Sequence, residues 1–258
     1  MIQILLFIAA LFGVPWVITQ VLPPSSGSLG SLLMTLVPTV WSPTILALIF
    51  VAMAGGTAGV RQELRARFRY QPKAGPWIFA ACIVPIVVVG TAVTVARAFG
   101  GAVPFIGSGA VATAIALQVA TGAVGEELGW RGFLVTRLER LTGSLPAVWV
   151  MGTLWSAWHV GAFFDPKLPH YTMPMPLVLA FILFFGVFMG LLFQRTGKSI
   201  LATIAAHLSL NIMTALGGAS LASPAFWGVL AASFGVLSLL GTLSMRARIH
   251  ACALVEPI

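Results

Sequence analysis

Eight apolar runs, each long enough to cross a bilayer, leave this chain little choice of fold. They cover residues 2–22, 32–60, 75–96, 107–136, 145–164, 174–194, 199–218 and 224–245. A helix needs roughly 20 apolar residues to span the hydrocarbon core. The runs are continuous and lack the period-2 alternation of membrane barrels, which argues against strands. Charged residues make up only 8% of the chain and hydrophobic residues 59%. A soluble domain carries about 25% charged residues, so this chain could not cover its surface with polar groups in water. The expected architecture is all-α: a polytopic membrane protein with about eight transmembrane helices, residues 1–258 forming a single membrane domain.

Three details refine that expectation. The second run is over-long, and Pro38 and Pro43 are expected to kink it, because proline removes a backbone donor and clashes with the preceding turn. The first run has no positive flank and no small-residue cleavage site, so it reads as a retained span rather than a signal peptide. Cys82 lies in an apolar run and Cys252 in the tail, so no disulfide framework is implied. Cys252 is also too far from the end for a prenylation signal of its own.

The net charge of +8 could suggest nucleic acid, but its distribution points to topology. Arg61, Arg65, Arg67, Arg69 and Lys73 lie between runs two and three. Arg131, Arg137 and Arg140 lie toward the end of run four, Arg195 and Lys198 between six and seven, and Arg246 and Arg248 after run eight. With eight crossings all of these share one side, and only Arg97 and Lys167 fall on the other. The positive-inside rule makes the first side cytoplasmic, with both termini there. A multi-pass protein of the cell membrane follows, with lipid rather than nucleic acid as its surroundings.

Against this apolar background a few polar groups stand out. The chain has six acidic residues, and Glu126 and Glu127 stand side by side inside run four, with Arg131 one turn on. His159 lies in run five, His207 and Asn211 in run seven. A charged side chain at mid-membrane costs roughly 2.5–3.5 kcal/mol on insertion scales, so each needs a partner or a purpose. At about 1.5 Å rise per residue, Glu126 lies roughly 16 Å from Arg137, and His159 about 21 Å from the start of its run. His207 and Asn211 fall at about 12 and 18 Å in theirs. Three helices thus place their polar groups in one layer.

Glu127 and Arg131 share a helix face and are read as a structural ion pair, while Glu126 points about 100° away and is free for another partner. Trp155 and His159, and His207 and Asn211, repeat the i, i+4 spacing. Ala116, Ala120, Gly122, Gly125 and Gly129 on run four, with Ala202, Ala205, Ala206 and Ser209 on run seven, permit close packing. Alone, His159, His207 or Asn211 could be interhelical glue. His170 and His250 read as ordinary loop histidines, and the run "FILFFGVFMGLLF" as core or lipid contact. The convergence is what suggests a site. A carboxylate beside an imidazole in a dry pocket can activate water, and a second imidazole with an amide can hold an oxyanion. The same Glu126, His159 and His207 could instead ligate a divalent metal such as zinc. Neither a His-Glu-x-x-His helix nor a Gly-x-Ser-x-Gly elbow is present.

In this order, "EELGWR", "WSAWH" and "HLSLN" resemble the motifs of the CPBP family, the CAAX protease and bacteriocin-processing intramembrane endopeptidases. The resemblance covers roughly residues 107–218, the motif-bearing core. It implies an eight-helix fold with a cavity open to the cytoplasmic leaflet. It also implies Glu126 as water-activating base assisted by His159, His207 and Asn211 as the oxyanion site, and Glu127, Arg131 and Trp155 as support. Trp155 stands where the family more often has Phe. Substrates implied are a membrane-associated peptide or protein, lipidated or a bacteriocin precursor. The rival reading is a proton- or cation-coupled transporter built on the same Glu/His cluster, against which stands the lack of an evident inverted repeat.

Overall fold

The computed structural model describes residues 1–21, 29–101, 116, 122–166, 168–216 and 221–255. Among these every regular element is a helix. In chain order they are α1 (Ile2–Val21), α2 (Leu29–Arg67), α3 (Gly75–Ala98), α4 (Ala123–Glu127), a π-helical segment (Leu128–Val135), α5 (Thr136–Thr142), α6 (Ser144–Trp158), α7 (Met175–Arg195), α8 (Leu201–Leu216) and α9 (Pro224–Val255). Short 3₁₀ turns precede α3 and cross between α6 and α7.

Four described helices are long and apolar enough to cross a membrane: Val37–Arg67, Gly75–Ala98, Met175–Arg195 and Pro224–Ala251. Two shorter apolar helices cover Ile2–Ile18 and Leu201–Leu216. Large apolar side chains point outward, among them Leu5, Trp16, Phe79, Val87 and Leu240, while the polar residues discussed below point inward. That inside-out arrangement is stable only where the surroundings are hydrocarbon. The chain is a multi-pass membrane protein.

Several expected boundaries move. The basic segment after run two is not a loop: Arg61, Arg65 and Arg67 continue α2. The break in α2 lies at Gly56, whose φ of 59° and ψ of −157° leave the helical region, a conformation only glycine enters cheaply. Pro38 and Pro43 stay within the helix. Pro43 lacks the N–H that Thr39 O would have received, and the Ser42 hydroxyl donates to that carbonyl instead at 2.7 Å. In α1, Pro15 frees Leu11 O in the same way, and the Trp158 indole N–H of α6 fills the gap at 2.9 Å. Run five is not α-helical to residue 164; α6 ends at Trp158, with His159 as its C-terminal cap residue, and Val160–Phe164 continue it as a 3₁₀ helix. α9 runs on to Val255, past the expected end at 245.

The packing of the bundle depends on glycine. α7 lies between α6 and α9, and at its α6 face a Cβ on Gly190 would sit 2.6 Å from Val148 Cγ1. One on Gly152 of α6 would meet Val187 at 2.9 Å and Leu183 O at 3.0 Å. Without an aqueous driving force, helices in lipid associate through such close van der Waals contact. On the other side of the bundle the π segment lies on α2. A Cβ on Gly129 would come within 2.4 Å of the Pro43 carbonyl carbon, so glycine is obligatory there. Run four, expected as one continuous helix, is α–π–α over its described part. Ala120 lies outside the described residues.

Candidate active site

The two adjacent glutamates reach two different helices. Rotation of about 100° between neighbours on a helix separates their directions. Glu126 turns to α6, where the Trp155 indole N–H donates to its Oε2 at 2.7 Å. Glu127 turns to α8, where His207 Nδ1 lies 2.9 Å from Oε1. Arg131 Nη1 donates to the same oxygen at 2.8 Å. Glu127 and Arg131 are fully buried, and Glu126, Trp155 and His207 nearly so, at 5%, 3% and 5% exposure. The ion pair expected from spacing is present, and it is wider than expected, because His207 joins it.

Both imidazoles have their tautomer fixed by an acceptor. His159 Nδ1 lies 2.8 Å from the Trp155 carbonyl oxygen, which can only accept, so Nδ1 carries the proton and Nε2 keeps its lone pair. His207 Nδ1 faces a carboxylate and is likewise protonated there. A second group orienting an imidazole in this way is how enzymes and metal sites set which nitrogen works.

Trp155 occupies the middle. Its ring stands edge-on to His159 at 5.2 Å and to His207 at 5.4 Å between centroids. The Arg131 guanidinium carbon lies 4.5 Å from the ring centroid, in cation–π range. Gly186 of α7 makes the space: a Cβ there would approach Trp155 Cε3 to 3.0 Å. So Glu126, His159 and His207, assigned with Asn211 to one layer from helix rise alone, are gathered around the Trp155 indole. Asn211 follows His207 by one turn on α8 and is half-buried.

Three participants escape sequence reasoning. Gly186 lies in the apolar run read as core. Trp158, edge-on to His159 at 5.0 Å, ties the site to α1 through Leu11. His170 was read as a loop residue, yet the 3₁₀ turn Pro169–Thr172 brings it to 6.3 Å from His159 and 5.5 Å from Phe163 between ring centroids. Burial holds its imidazole below the ordinary range. Only its pairing of aromatic neighbours across a loop could have betrayed it, and no local spacing encodes that.

The metal reading can be tested on the donors. Among the described residues no three His, Cys, Asp or Glu side chains gather closely enough to hold an ion. Of the candidate ligands, Glu126 Oε1 and the Nε2 atoms of His159 and His207 stay open, while Glu126 Oε2 and both Nδ1 atoms are engaged. That orientation is common to metal-bound imidazoles, but the three groups do not gather into one cluster.

A helical bundle with an apolar exterior and a buried acid–imidazole–indole centre defines the class: a multi-pass membrane protein with titratable groups inside its apolar core. Residues 107–213 match the family described as Type II CAAX prenyl endopeptidase Rce1-like. No curated protein matches the chain.

Proposed function

We propose that the chain is an intramembrane endopeptidase acting on a peptide or protein held at the cytoplasmic face of the cell membrane, with residues 107–218 as its working core. The observation that carries this reading is the buried Glu126 carboxylate, sharing Trp155 as neighbour with two imidazoles of fixed tautomer. Glu126 takes a proton from water while His159 Nε2 holds that water by its lone pair. The water oxygen attacks the scissile carbonyl carbon, and the resulting oxyanion accepts from the Asn211 amide and from Nε2–H of His207 in its imidazolium form, whose Nδ1–H stays on Glu127. Glu126 then passes its proton to the leaving nitrogen as the C–N bond breaks. Glu127 and Arg131 hold the motif segment against α8. The apolar surroundings of the bundle suit a lipidated C-terminal peptide, and a bacteriocin precursor is the second substrate class.

The test uses purified protein in liposomes with a farnesylated CAAX peptide and its unprenylated counterpart. General acid–base groups contribute about 10²–10⁴-fold, so Glu126→Gln and His159→Ala should each lose at least that while remaining folded. Full cleavage by both variants would end the proposal.

A further inference from the structure

The indole of Trp155 does more than fill space, and we infer that it is a positioning residue that selects which oxygen of Glu126 works. A carboxylate beside water has two equivalent oxygens and a soft terminal torsion, so its basic lone pairs are poorly aimed unless something holds one oxygen. Here the Trp155 N–H donates to Oε2 at 2.7 Å. That leaves Oε1 to take the proton of the attacking water and to return it to the leaving nitrogen. The N–H bond to Oε2 persists through both transfers, because the proton moves on the other oxygen.

The seat of the indole is built for this role. Gly186 lies under the ring where any side chain would crowd it. The Arg131 guanidinium lies against it, and Phe185 packs at 6.2 Å between centroids. The same residue's backbone carbonyl orients His159 through Nδ1. One residue therefore aims both groups that act on water: its side chain aims the acid and its main chain the imidazole. Phenylalanine would keep an aromatic face and the carbonyl but lose the donor and part of the ring volume.

This inference rests on Glu126 being the base, and the experiment separates the two. Trp155→Phe keeps an aromatic face for Arg131. A hydrogen bond to a charged group is worth about 1.5–3 kcal/mol, so kcat on the farnesylated peptide should fall roughly 10- to 150-fold. KM should stay near wild type, while the melting temperature falls modestly because Glu126 loses a buried donor and Phe is smaller than Trp. Replacement of Trp155 by benzothienylalanine, which exchanges N–H for sulfur at the same shape, should give the same kcat loss without any cavity. A readout independent of turnover is the indole ¹⁵N–¹H resonance of Trp155, assigned by its loss in the Phe variant. It should move when Glu126→Ala is introduced. A wild-type kcat in both Trp155 replacements, or an indole resonance indifferent to Glu126, overturns the inference. An active Glu126→Gln instead overturns the assignment of the base and this inference with it.

Discussion

Two ionic clusters, built from the same kinds of side chain, sit in opposite environments. At the centre, Glu127 is held by Arg131 and His207 with no solvent exposure on the carboxylate or the guanidinium. At the end of the bundle that carries the basic residues, Glu139 meets Lys198 at 2.7 Å, with 42% of the lysine side chain exposed, and Ser144 donates to the second carboxylate oxygen at 2.6 Å. Arg67 extends this second cluster by pairing with Glu63 at 2.8 Å and donating to Lys198 O at 3.3 Å. The Ile200 N–H closes it by donating to Arg67 O at 2.8 Å. The outer cluster clips together α2, α5 and the α7–α8 turn. The inner one couples the π segment to α8. The lesson is that spacing and chemistry alone do not set the worth of an ion pair. Water screens the outer pair, so either partner can be lost cheaply, whereas each inner charge depends on the other because neither has water to fall back on.

The contrast can be broken or sharpened by three substitutions. Arg131→Met leaves the Glu127 carboxylate buried without its cation. It should cost about 3–5 kcal/mol, read as a large fall in melting temperature in detergent, and a loss under about 1 kcal/mol would show that the inner pair is hydrated. Glu127→Gln keeps the shape and one acceptor for the guanidinium, which also lies on the Trp155 ring face. It should destabilise by about 1–3 kcal/mol, the range for a buried polar group left unsatisfied. Cleavage should fall too, since His207 loses its anionic partner. A Gln variant as damaging as Arg131→Met would make the carboxylate, not the arginine, the dominant charge.

The smallest effect belongs to Glu139→Gln, under about 1 kcal/mol near neutral pH, and it carries a pH signature. Burial alone would raise the Glu139 carboxyl, but hydrogen bonds from Lys198 and Ser144 outweigh it and hold the group below its ordinary value of 4.5. A depressed carboxyl stabilises the fold above its unfolded value and gives that stability up as pH falls through the folded one. The wild type should therefore lose melting temperature below about pH 4.5 by more than the Gln variant does. Parallel acid profiles would remove Glu139 from the account.

Much of the site was legible because its signals are local. The i, i+4 spacing of Glu127 and Arg131 predicted their contact, and the depth of Glu126, His159 and His207 along separate runs predicted a common layer. Gly129 was marked as a packing residue, and it is the point of closest approach to α2. What local spacing could not express was which helix faces which. The bond of His207 to Glu127, eighty positions away in the chain, depends on how α8 is rotated. So does the indole of Trp155, read as support and found donating to Glu126. The length of α6 was misjudged because an apolar run does not show where backbone turns 3₁₀, and the run through His159 stays apolar while the helix ends.

By itself, then, the sequence determined the apolar surroundings, the all-helical class and the set of polar groups to be brought together, since hydropathy and helical rise act along the chain and need no knowledge of neighbours. Only the tertiary structure decided the pairing of Glu126 with Trp155 and of Glu127 with His207. Helices in lipid are aligned by close contacts such as Gly186 under Trp155 and Gly129 on Pro43. Those contacts fix a rotation about each helix axis that no single helix encodes.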